Sequence, residues 1–187
     1  MPPHGASRQR CVARRFASME GFEDTIRRLN ESHVEFVVIG GYAAVIHGAI
    51  DVTRDLDICC RFSDENLLRL QDALDPLHPK FRAILHERFL DLRTKPALPW
   101  RNLYLETDNG VLDCLSEVLA VGDFDAVLAS SEEVTTSFAT FRVLDIPTLL
   151  RAKEAVGRPH DLRTALQLRC VLDARRENAD KPQPPSL

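Results

Sequence analysis

An α/β (α+β) fold, with a mixed sheet flanked by helices and a helical segment at its C-terminal end, is what this sequence predicts. Three observations carry that prediction. Apolar, β-branched runs alternate with helix-like segments through residues 34–75. A hairpin pattern follows at 103–115. The stretch from Ile146 onward reads as two helices. Strands joined through helices tend to run parallel, and hairpin strands run antiparallel, so the sheet is expected to be mixed.

The elements follow in order. Met19 to Glu31 sets Phe22, Ile26 and Leu29 at helical spacing. Val34 to Ile39 is a short β-branched and aromatic run, the pattern of a buried strand. Gly40-Gly41 ends it. Tyr42 to His47 has the small apolar composition of a short helix closed by Gly48, with His47 a structural histidine at its end. Arg54 to Cys60 alternates charged and apolar residues before turning wholly apolar, which predicts a strand. Ser63 opens a helix carrying Leu67, Leu68, Leu70 and Leu74, and Pro76 and Pro79 stop it. Lys80 to Arg101 reads as irregular and basic, with Lys80, Arg82, Arg88, Arg93, Lys95 and Arg101. Leu103–Thr107 and Val111–Leu115 flank Asp108-Asn109-Gly110, which predicts a hairpin around an Asn-Gly turn. Thr140 to Leu144 is a last strand. Pro147 sits in the first turn of a helix reaching Ala155. Gly157-Arg158-Pro159 breaks it, and His160-Asp161 caps a final helix to about Arg175.

A chain of 187 residues is long enough for one core and short for two. One domain is expected over 19–176, with 146–176 as its C-terminal helices. Residues 1–18 are Arg-rich and free of acids, and read as a disordered tail or as a segment ahead of a start at Met19. Residues 177–187, Pro-rich at their end, read as a second disordered tail. No apolar run approaches the ~20 residues of a membrane helix. The net charge of -4 gives no global pull toward nucleic acid, so a polyanion site must be a local basic patch. Five cysteines without a CxxC pair argue against a zinc site or a disulfide framework, and fit a reducing cytoplasm.

The chemistry centres on Arg54-Asp55-Leu56-Asp57-Ile58. Side chains two apart on a strand share a face, so Asp55 and Asp57 project together while Leu56 and Ile58 face the core. Two bare carboxylates about 7 Å apart along one face repel, and a divalent cation relieves the repulsion. Mg²⁺ suits such a pair, with water and substrate phosphate completing its shell. Taken alone, D-x-D is as often a solvated strand face. Asp113 is a third acid in an apolar strand, and completes a three-carboxylate cluster if that strand pairs beside 54–60. Such a cluster holds two ions about 3.5–4 Å apart. Gly40-Gly41, between strand and helix, lets the backbone approach a phosphate, although an ordinary tight turn uses the same residues. Neither a Walker A motif nor GxGxxG is present. Arg151, Lys153, Arg158 and Arg163 form the clearest basic cluster. Trp100 and Tyr104 are candidates to stack a base.

In combination, Gly40-Gly41-Tyr42-Ala43-Ala44-Val45-Ile46-His47-Gly48 and Thr53-Arg54-Asp55-Leu56-Asp57-Ile58 resemble the minimal nucleotidyltransferases of the DNA polymerase β superfamily, and within it the group of AbiEii-type toxins. Ile146-Pro147, Leu150, Lys153 and Gly157-Arg158-Pro159-His160-Asp161-Leu162 resemble that group's closing helices. The resemblance implies a nucleotidyltransferase fold and transfer of a nucleoside monophosphate from an NTP to an acceptor hydroxyl, with two Mg²⁺. Asp55, Asp57 and Asp113 would ligate the metal, and Asp113 would help deprotonate the acceptor. Gly40 and Gly41 would cradle the triphosphate, with Arg54, Lys153 and Arg158 reaching phosphates. The acceptor would be tRNA or a protein, with a cognate antitoxin as partner. The alternatives are a small-molecule, aminoglycoside-type transferase, or a non-catalytic nucleotide- or partner-binding module. Two departures from the group stand out: Tyr42 where many superfamily members carry Ser, and Asp51 where an Arg is common.

Overall fold

The computed structural model describes residues 6–50, 53–82, 89–93 and 101–179, with side chains between Met19 and Glu177 of those ranges. Asp51, Arg88, Lys95 and Trp100 lie outside the described residues.

Helix α1 (Ala6–Glu31) carries the expected first helix back from Met19 to Ala6. Its Phe22, Ile26 and Leu29 are fully buried, as their spacing requires. Strand β1 (Phe36–Ile39) is buried along its whole length and runs without a loop into α2 (Gly40–His47). Gly48 closes that helix in the left-handed conformation. In β2 (Asp55–Cys60) the two acids are half-buried while Leu56 and Ile58 are buried, so the alternation sorts the faces as expected. Helix α3 (Asp64–Leu74) starts at Ser63, whose side chain accepts from the Asn66 N–H. A 3-10 turn (Asp75–Leu77) leads to β3 (Lys80–Phe81).

Strands β4 (Asn102–Thr107) and β5 (Gly110–Leu115) make the hairpin. Its two-residue loop is Asp108-Asn109 rather than Asn109-Gly110, because Thr107 pairs with Gly110 and the positive φ (119°) falls on Gly110. Residues 116–139, unassigned from the sequence, hold β6 (Glu117–Val118), β7 (Gly122–Asp123), α4 (Phe124–Ala129) and β8 (Ser131–Thr135). Then come β9 (Thr140–Leu144), α5 (Ile146–Val156) and α6 (Pro159–Ala179), with Gly157 (φ 68°) at the break.

Among the described residues, seven strands form one sheet in the order β3-β4-β5-β2-β1-β9-β8, and β6-β7 form a separate ribbon. The β2–β5 and β1–β9 pairs are parallel and the other pairs antiparallel, so the sheet is mixed. Helices α1 and α3 pack on each other, while α2 packs on β2 and against α5 and α6. Buried Asn66 ties three segments together. Its amide oxygen accepts from Glu35 N–H (2.7 Å), and its amide nitrogen donates to the carbonyls of Glu35 (3.1 Å) and Arg61 (2.8 Å). Among the described residues no helix is long and apolar enough to cross a membrane.

Two registers place the site. Ile39, the last residue of β1, lies opposite Asp57 in the antiparallel β1–β2 pair. Asp57 lies opposite Asp113 in the parallel β2–β5 pair. The start of α2, the two acids of β2 and the acid of β5 therefore meet at one point.

Candidate active site

Asp55, Asp57 and Asp113 each bring a carboxylate oxygen within 4.8 Å of the others. Asp55 and Asp57 share a face by strand alternation, and the β2–β5 pairing that sequence alone left open sets Asp113 beside Asp57. They open into a cavity of about 700 Å³. The eight residues named for metal and phosphate line it: Gly40, Gly41, Arg54, Asp55, Asp57, Asp113, Lys153 and Arg158.

The electrostatics are those of crowded carboxylates partly out of water. Burial pushes the Asp57 carboxyl up to about 7, and the charges of Asp55 and Asp113 push the same way. Lys153 and the N–H of Gly41, which donates to Asp57, work against that rise. Asp113 is raised by burial and by Asp55, and held back by Arg82. The Arg82 guanidinium meets Asp113 Oδ1 at 2.5 Å and sits 5.9 Å from the centre of the Tyr104 ring. Asp55 Oδ1 accepts from the Thr53 hydroxyl (3.2 Å), which also donates to the Asp55 carbonyl (2.9 Å).

The glycine pair has a steric reason beside the phosphate cradle. Gly40 has φ 66°, and a Cβ on it would stand 2.0 Å from Asp57 Oδ2. A Cβ on Gly41 would stand 2.6 Å from the Thr53 hydroxyl. A side chain at either position would meet Asp57 of β2 or Thr53 just ahead of it, both of which pass directly over the start of α2. That same helix start lines the cavity, and its Gly41 N–H is already taken up by Asp57. The first turn of a helix has N–H groups without intrahelical partners, which favour anions.

Lys153 is less free than its sequence setting suggests. Its ammonium donates to Asp161 Oδ1 at 2.7 Å, and the two side chains are only 12% and 8% exposed. Asp161, read from the sequence as a helix cap, is instead the counter-ion that holds Lys153 across the Gly157 break. In the basic cluster, Arg151 donates to the Ala120 carbonyl, and Arg158 and Arg163 are exposed. Sequence reasoning missed Thr53, Arg82 and Asp161 as members of the site. Thr53 and Asp161 stood inside the motif stretches and Arg82 in the basic segment 80–101, but nothing local marked them as partners of the acids or of Lys153.

The donor set suits a hard divalent cation. Three carboxylate oxygens converge with no sulfur or imidazole among them, and Mg²⁺ and Mn²⁺ prefer oxygen ligands. Asp55, Asp57 and Asp113 are the residues that would hold it.

No protein-family model matches the chain, and no curated protein matches it. Solved structures do. A candidate nucleotidyltransferase of Thermotoga maritima superposes with a TM-score of 0.53 at 17% identity, over 84% of this chain and 93% of that one. The antibiotic-resistance factor ANT(2'')-Ia, in its solution structure, superposes with a TM-score of 0.51 at 14% identity, over 88% of this chain and 94% of that one. The likeness is one of fold: this chain has the fold of the nucleotidyltransferases.

Two predictions follow from the cluster. Between the ordinary carboxylate value of 3.8 and about 7, folded Asp57 keeps a proton that the unfolded chain has released. Its contribution to stability is therefore full below pH 4 and is lost as pH rises to 7. In EDTA, melting scans of wild type against Asp57→Asn should show the wild type falling progressively behind from pH 4 to pH 7, and the gap levelling off above that. Added Mn²⁺ should restore more of the wild-type loss at pH 8 than at pH 6, since a ligand must be deprotonated. A gap independent of pH would contradict this. Separately, Gly40→Ala should lose at least about 1–2 kcal/mol in urea melts from its left-handed backbone alone. It should also weaken Mn²⁺ binding by displacing Asp57.

Proposed function

We propose that this chain is a metal-dependent nucleotidyltransferase that moves a nucleoside monophosphate from an NTP to an acceptor hydroxyl. The observation that carries the reading is the convergence of Asp55, Asp57 and Asp113 on one point beside the glycine-headed start of α2. In the reaction the acceptor oxygen forms a bond to the α-phosphorus, and the bond from that phosphorus to the bridging oxygen breaks. Pyrophosphate leaves, and the hydroxyl proton passes to a carboxylate. Two Mg²⁺ held by the three acids would lower the hydroxyl's pKa and offset charge on the phosphates.

The chain's own groups divide the remaining work. Gly40 and Gly41 leave the helix N-terminus open to the triphosphate. Lys153, fixed by Asp161 and close enough to act on Asp57, supplies positive charge to the phosphates from the α5 wall. Arg54 and Arg158, both exposed at the cavity, reach phosphate from its rim. Asp113 takes the proton from the acceptor.

For the acceptor we infer tRNA or a protein, with this chain acting in the cytoplasm as a toxin restrained by a cognate antitoxin. Exposed Tyr104 and the Arg82 guanidinium over its ring form a flat, cationic face at the Asp113 side of the cavity, which supports a nucleotide-like acceptor. The likeness of fold to an antibiotic-resistance factor favours a second reading, a small-molecule acceptor of aminoglycoside type.

Purified protein with labelled NTPs and Mg²⁺ should label an acceptor in a cell lysate. Asp113→Asn should slow labelling by roughly 10²–10⁴-fold, the range for a lost general base. Asp55→Ala should abolish it. Absence of labelling with every NTP would sink the enzymatic reading. Growth arrest on expression, relieved by Asp57→Ala, is expected for the toxin, whereas drug resistance without arrest would favour the small-molecule reading.

A further inference from the structure

Among the cations around the cluster, Arg82 stands in a different position from the rest. It follows β3, and its backbone N–H is fixed to the Tyr104 carbonyl at 3.0 Å. Its guanidinium reaches across to Asp113 Oδ1, yet the side chain is 34% exposed against 14% for Asp113. Asp113 is thus shared. On one strand neighbour it faces Asp57 and the cluster, and on the other it faces Tyr104, over which Arg82 lies.

We propose that Arg82 is a displaceable counter-ion of the cluster, whose guanidinium competes with a divalent cation for Asp113 and so sets how tightly the cluster holds its ion. The proposal rests on the reading that the cluster binds metal. Two positive groups on one carboxylate repel each other, so each weakens the other's hold. Arg82 has somewhere to go: its anchor is a backbone bond that does not involve the side chain, and the Tyr104 ring and solvent lie beside it. Lys153 lacks that freedom, being half-buried and paired with buried Asp161. Arg82 is accordingly a positioning residue. It keeps Asp113 in place while the cluster lacks its ion, and yields when the ion arrives.

The test is a Mn²⁺ titration of full-length, nucleotide-free protein, following free Mn²⁺ by electron paramagnetic resonance. Wild type, Arg82→Gln, Asp113→Asn and the double variant are compared. Arg82→Gln should tighten Mn²⁺ binding by about fivefold, the upper range for a partly exposed ion pair. In the Asp113→Asn background the same substitution should change nothing. Gain of affinity cannot arise from misfolding. Unchanged or weaker binding in Arg82→Gln overturns the proposal, and so does equal tightening without Asp113, which would mark a diffuse effect of net charge. If neither wild type nor Arg82→Gln binds Mn²⁺, the metal reading itself falls, and this proposal with it.

Discussion

Three carboxylate oxygens within 4.8 Å of one another, on neighbouring strands and partly out of water, are an arrangement the fold has to hold against its own electrostatics. Two full charges at that distance oppose each other by roughly 3 kcal/mol at an effective dielectric near 20. The chain answers in several ways at once. Asp57 holds on to its proton toward neutral pH, Arg82 meets Asp113, Lys153 acts on Asp57 from the far wall, and the Gly41 N–H donates to the Asp57 carboxylate. None of these removes the cluster. Each makes it tolerable, and on the proposed reading a divalent cation would relieve the repulsion further.

That crowding is possible only because the surrounding structure is over-determined. Leu56, Ile58, Leu112 and Cys114 are completely or almost completely buried, and they lock β2 and β5 in register. A slip of one residue in either strand would turn its acids into the core and its apolar residues out, so the core enforces the Asp57–Asp113 pairing. The steric fit at α2 adds a second lock. The helix start can approach β2 closely only where Gly40 and Gly41 lack side chains, and that approach brings the Gly41 N–H onto Asp57. Core packing, strand register and glycine placement thus serve the same few atoms.

How much of this was legible depended on the range of the interaction. The Asp55–Asp57 pair was readable from strand alternation, and the helices and hairpin from their periods and caps. Asp113 was visible as an acid in an apolar strand, but its neighbour was not, because parallel pairing between β2 and β5 has no local signature. Residues 116–135 carried no readable period: two strands are two residues long, and β8 (Ser131–Thr135) is an exposed polar edge strand with Glu132 and Glu133 side by side. The counter-ions were hidden for the same reason as Asp113. Arg82 sat in a segment that read only as basic and irregular, and Asp161 looked like a cap until the bend at Gly157 brought it onto Lys153.

The two ion pairs at the cavity mark a division within the site. Lys153–Asp161 is almost fully withdrawn from water, and separating such a pair leaves an uncompensated buried charge at a cost of about 3–5 kcal/mol. Arg82–Asp113 is more open on the arginine side, where water can take over the guanidinium and the pair is worth on the order of 1 kcal/mol or less. A pair of the first kind keeps its geometry through a reaction cycle, while one of the second kind exchanges partners. On the proposed reading, the α5–α6 wall therefore presents a fixed charge to the donor phosphates. The β3–β4 wall presents one that moves, and it lies on the side where the acceptor would enter. Rigidity and mobility are assigned to opposite walls by the same variable, the depth at which each pair is buried.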